Sequence, residues 1–205
     1  VTVDARATLS ANAAKMKANG RSYDISTANQ QDVDDAFAGL DRRSLYAIAS
    51  NNSSLFTQDE QKQAQSIMSQ QLSDALGLAN PLNHSDPAKE YLAGVRFLDA
   101  ASPEEKASDN WRVNRAIAQT GYELAFAQAH ARQKPANVDS GDPVVNMLVQ
   151  AIHNAEGTWS STTDGSYVTD ISKITLFTDG KYVSALQQAR SQNAQTSKSR
   201  VDVSI

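Results

Sequence analysis

Three times in this chain a capping residue stands directly before a proline, at Asp86-Pro87, Ser102-Pro103 and Asp142-Pro143. Such a pair starts a helix and fixes its direction. Proline lacks an amide hydrogen where a first-turn residue would leave one unpaired, and the Asp or Ser oxygen accepts from the next free amides. Ser102-Pro103-Glu104-Glu105 adds a reciprocal glutamate and reads as a capping box. Apolar residues at helical spacing follow each start: Tyr91, Val95 and Leu98; then Val113, Ile117, Thr120, Leu124 and Ala127; then Val145, Leu148, Val149 and Ile152. The second of these helices is predicted to be long, running from Pro103 to the cations His130, Arg132 and Lys134, which suit a helix C-terminus.

Upstream, a helix is predicted from about Asp4 to Ala18, stopped by Asn19-Gly20. Val33, Phe37, Leu40, Ala47 and Ile48 mark a second helical stretch that Gly39 and Asp41-Arg42-Arg43 break in two. Ala64, Ile67, Met68, Leu72, Ala75 and Leu76 form an apolar stripe ending at Gly77. The expectation is a mainly α fold, a bundle of five to six amphipathic helices over residues 1–155. From 156 the texture changes. TDGSYV at 163–168 recurs as TDGKYV at 178–183, and Asp-Gly is the preferred pair of a two-residue hairpin turn. Residues 156–190 therefore read as a small β-hairpin or irregular appendage packed on the bundle. A hairpin across Asp179-Gly180 competes with a helix starting there. Residues 191–205 are a polar tail, in which Val201, Val203 and Ile205 alternate like a short terminal strand, as do Val1 and Val3.

Composition narrows the function classes. The formal charge of −4 offers no basic field for phosphate backbones, so no nucleic acid is expected. Cysteine is absent, which removes disulfides, thiolate nucleophiles and thiolate metal sites. No run approaches the roughly 18 apolar residues of a membrane span, so no membrane insertion is expected. No basic-then-apolar export signal stands at the start of the sequence, and the compartment stays open. With aromatics at 6%, the core must be built from Ala, Leu, Ile and Val.

Residues 49–60, ASNNSSLFTQDE, put an oxygen-bearing side chain at nearly every second place and close on a glutamate. The stretch resembles the calcium loop of EF-hand proteins. The resemblance implies calcium ligands at Asn51, Ser53, Thr57 and Glu60, with Phe56 at the apolar position. Ala49 stands where that family has its first aspartate and Ser54 where it has glycine, leaving one carboxylate among these ligands. The preferred reading is simpler. Thr57-Gln58-Asp59-Glu60 is a capping box, preceded by an inter-helix loop.

His84, His130 and His153 share no zinc-ligand spacing, and no nucleophile elbow, P-loop or dinucleotide fingerprint occurs. No catalytic residue is expected. Trp159 and Tyr167 are read as apolar caps over one end of the bundle, beside the best place for a small ligand or enzymatic site. Trp111 and Tyr122 fall outside the main stripe of their helix, and either pack against a neighbouring helix or face a partner. The composition is similar to that of exported appendage and secretion-system proteins. The expected function is thus a non-enzymatic bacterial interaction, assembly or regulatory module, acting on a protein partner or on itself through helix faces. A calcium-responsive module and a ligand site near Trp159 are the alternatives.

Overall fold

A computed structural model describes residues 1–21, 28–78, 86–130, 133–155, 160–161 and 167–168. The fold is mainly α, as expected, with eight helices among the described residues. They form two compact units. One runs over Val1–Asp74 with Ala101–Glu105, the other over Ala75–Ala100 and the described residues from Lys106 onward.

In the first unit, α1 spans Thr2–Ala18 and buries Ala5, Leu9 and Met16. The strand-like start read from Val1 and Val3 is corrected here. Asp4 supplies an acid to a first helical turn, and Ala5 and Leu9, four apart, need a helix to reach one core. The helix stops where Gly20 takes a φ of 72° and the Arg21 N–H returns to the Met16 carbonyl at 3.0 Å.

The second stretch is broken in two, as its sequence implied. α2 (Gln30–Ala36) starts with a complete Asn29–Asp32 capping box, and α3 (Arg42–Ser50) is capped by Asp41, which accepts from the Ser44 amide at 2.8 Å. That bond, with the Ser44 hydroxyl as the larger cause, holds the Asp41 carboxyl below the usual carboxylate range. Between them Gly39 turns at a φ of 76°, and the Asn12 amide of α1 donates to the Ala36 and Ala38 carbonyls that end α2. α4 (Gln58–Ala75) follows. The core gathers Ala5, Leu9, Met16, Val33, Ala36, Phe37, Leu45, Ile48, Phe56 and Ala64.

The second unit is built on α5 (Pro87–Asp99), α7 (Asp109–Ala129) and α8 (Pro143–Ala155), with α7 packed against both others. Asp86 and Asp142 cap as expected, accepting from Lys89 and from Val144 and Val145. The helix expected to start at Ser102 and run on to the His130 end is instead interrupted. Ser102 accepts from the Glu105 amide, but α6 is a single turn, Pro103–Lys106. Ser108 then caps α7 by accepting from the Trp111 amide at 3.2 Å. The Glu105 carboxylate is drawn away to Arg42 in the first unit, so the capping glutamate anchors the turn in another direction.

β1 (Ser160–Ser161) and β2 (Tyr167–Val168) pair antiparallel, Ser160 with Val168 and Ser161 with Tyr167, astride the first Asp-Gly copy. The alternatives at Asp179-Gly180 and the terminal strand lie outside the described residues. No described helix is long and apolar enough to cross a membrane.

Candidate functional site

The loop at 49–60 joins α3 to α4. Asn51 ends α3 in the left-handed region, at a φ of 44°, and its side-chain amide grips the Phe56 backbone. It donates to the Phe56 carbonyl at 2.9 Å and accepts from the Phe56 N–H at 3.0 Å. Phe56 is thereby seated in the core. Both halves of the capping box are present. The Glu60 amide donates to the Thr57 hydroxyl at 3.2 Å, and the Glu60 carboxylate accepts from the Thr57 N–H at 2.8 Å.

That carboxylate also accepts from Arg6 of α1 at 2.7 and 2.9 Å, and the guanidinium lies 5.8 Å from the centre of the Phe56 ring. The electrostatic partner of Glu60 is therefore an arginine. A divalent cation at Asn51, Ser53, Thr57 and Glu60 would have to displace Arg6 and pull Asn51 off Phe56. No group of three or more His, Cys, Asp or Glu gathers in ligating geometry among the described residues.

Trp111 is 4% exposed, with its indole N–H donated to the Leu98 carbonyl at 2.8 Å. It packs against α5 and presents no surface to a partner. Tyr122 is likewise buried, its hydroxyl accepting from the Ala136 N–H. Tyr167 lies in β2, while Trp159 and His84 fall outside the described residues. His130 is exposed at the end of α7, its ring 4.6 Å from that of Phe126, and His153 stands 3.1 Å from the Glu123 carboxylate.

A buried polar network runs along α7. Arg115, wholly inaccessible, donates to Asp99 at 2.7 and 3.2 Å, to the Val138 carbonyl at 2.6 Å and to Gln119 at 3.1 Å. Gln119 passes the chain on to Glu123 and Asp139. Its members are Arg115, Gln119 and Glu123, spaced four apart on one helix face. Such a chain of paired groups fixes register and is closed to a ligand.

An open cleft of about 260 Å³ lies in the first unit, lined by Val1, Thr2, Arg43, Tyr46, Ala47, Ser50, Asn52, Ser53 and Glu104. Arg43, Tyr46, Ala47 and Ser50 are the face of α3 turned away from the buried Leu45 and Ile48. Arg43 pairs with Glu104 at its rim, and that bond holds the Glu104 carboxyl down to about 2. Of the candidate residues, only Ser53 belongs to this cleft. No protein-family model, curated protein or solved structure matches the chain.

Proposed function

We propose that this chain is a non-enzymatic helical module that assembles, with itself in the first instance, through the face of α4. One observation carries the reading. The apolar stripe of α4 is strongly written in the sequence, yet Ala64 is its only fully buried member; Ile67 and Met68 pack on the core of the first unit but stay half-buried, as does Leu72. An amphipathic helix gains its stability by covering such a stripe, and a half-covered one retains a driving force for association. Around it stand Gln63, Gln65, Gln70 and Gln71, uncharged side chains that lose less on desolvation than lysine or glutamate would.

Among the described residues, Arg6–Glu60, Arg42–Glu105 and Arg115–Asp99 are charged groups bound to one another. The test is light scattering across a wide concentration range, on the chain itself and on Leu72→Lys. The mass should rise with concentration and the rise should be lost in the variant. A constant monomer mass at every concentration would remove the self-assembly reading. Because the chain has no cysteine, Leu72→Cys gives a second readout, disulfide-linked dimers under mild oxidation.

A further inference from the structure

In the cleft on α3, polar side chains gather that no bond within the first unit engages. Among the described residues no intramolecular hydrogen bond engages the side chains of Thr2, Tyr46, Ser50, Asn52 or Ser53. Their neighbours are bonded within the unit: Asp41, Asn51, Thr57 and Glu60 each have partners. Asn52 and Ser53 are held between two residues of positive φ, Asn51 at 44° and Ser54 at 56°. A serine in the left-handed region is uncommon and must be stabilised by its surroundings, and it fixes how the two residues before it are displayed.

The chemistry of the lining narrows what fits. Its charged side chains, Arg43 and Glu104, neutralise one another, and the Val1 ammonium is paired with Asp4 at 3.1 Å, so a charged ligand finds no unpaired opposite charge in the lining. A single carboxylate cannot hold a divalent metal. A purely apolar ligand would strip water from five hydroxyl and amide groups and return nothing. An extended peptide needs a longer trough than a cleft of about 260 Å³.

A neutral ring bearing several hydroxyls meets each condition. Its C–H face has Val1, Ala47 and the Tyr46 ring. Its hydroxyls have the Asn52 amide, the Ser50 and Ser53 hydroxyls, and the guanidinium donors that Arg43 does not spend on Glu104. We infer that this cleft is a binding site for a single sugar ring. The site is distinct from the α4 face through which assembly is proposed.

The test is an amide-resolved NMR titration of the whole chain with glucose, galactose, mannose and N-acetylglucosamine in turn. At least one should shift amides of residues 43–54 and 104 saturably in the millimolar range. Asn52→Ala, at an exposed position, and Ser50→Ala, at a half-buried one, should each weaken it by roughly tenfold or less, one net hydrogen bond apiece. Their unchanged spectra elsewhere would show the fold intact. The variant Leu72→Lys should bind as the parent does, which separates this site from assembly. Absence of shifts at these residues with all four sugars would overturn the inference, and so would shifts that persist undiminished in the Asn52→Ala, Ser50→Ala double variant.

Discussion

Glu60 shows how one residue decides between two readings of a loop. The capping box was legible in TQDE, but the arginine that completes it was not, because Arg6 lies 54 positions away and no local spacing links them. With Arg6 in place, melts in calcium and in chelator should superimpose, whereas a site at a hundred times its dissociation constant would add about 2.7 kcal/mol. Glu60→Gln should lower stability by about 1–2 kcal/mol in both buffers alike, since the pair is partly exposed. A calcium-dependent rise in melting temperature that Glu60→Gln abolishes would restore the metal reading. Glu104 makes a prediction of the opposite kind, about pH. Its bond to Arg43 holds the folded carboxyl near 2, below its ordinary value of 4.5. The bond therefore contributes above the ordinary glutamate range and is lost as pH falls from there through about 2. A carboxyl-detected NMR titration should find that low midpoint, and Arg43→Ala should raise it toward the ordinary range, short of it because the Glu104 amide and Ser102 still favour the carboxylate.

Among the elements, α7 is the one whose surroundings the sequence concealed. Its expected stripe through Val113 and Ile117 is only half-buried there, while Trp111, Arg115, Ala118, Gln119 and Tyr122 on another face are buried. A helix enclosed by two neighbours has two inner faces, and a single-stripe reading finds one of them. An arginine and a glutamine on the second face disguise it further, because their burial depends on partners, Asp99 and Val138, from other segments. The start of α7 was misplaced for a related reason. Pro103 signals a start correctly, but Ser108-Asp109 is an equally good cap and acid pair six residues later, and the chain uses both. The closeness of α5 to α7 gives a sharp test. A Cβ on Gly121 would stand 2.5 Å from two ring carbons of Tyr91. Alanine gains about 1 kcal/mol in helix propensity there. Overpacking against a ring costs about 1–3 kcal/mol or more. Gly121→Ala should thus be net destabilising in urea, and Tyr91→Ala in the same chain should absorb much of the difference. A stabilised Gly121→Ala would mean that the two helices lie further apart.

At the scale of the whole chain, what stands out is where residues 101–105 belong. The helices on either side of this segment, α5 and α7, are in the second unit, whereas the segment itself is stitched into the first. Its anchor is Glu105, 3% exposed, which accepts from the Arg42 guanidinium at 2.6 to 3.1 Å. The same guanidinium donates to Gln71 at 3.1 Å, so α3, α4 and the returning segment meet on one cation. Taking two charges out of water opposes their attraction, and the net contribution of such a pair relative to apolar residues of like volume is small. Removing one partner is another matter, because the charge left behind stays out of water. Glu105→Ala should therefore cost about 3 kcal/mol, near the lower end for a fully buried pair because Arg42 keeps some access to solvent. For a chain of this size that is a fall in melting temperature of roughly 6–12 °C. The double replacement Arg42→Met, Glu105→Leu should recover most of it, since both charges leave together. Comparable losses in the single and double variants would show that the anchor works by attraction rather than by mutual satisfaction, and that residues 101–105 are held to the first unit by the charge pair itself.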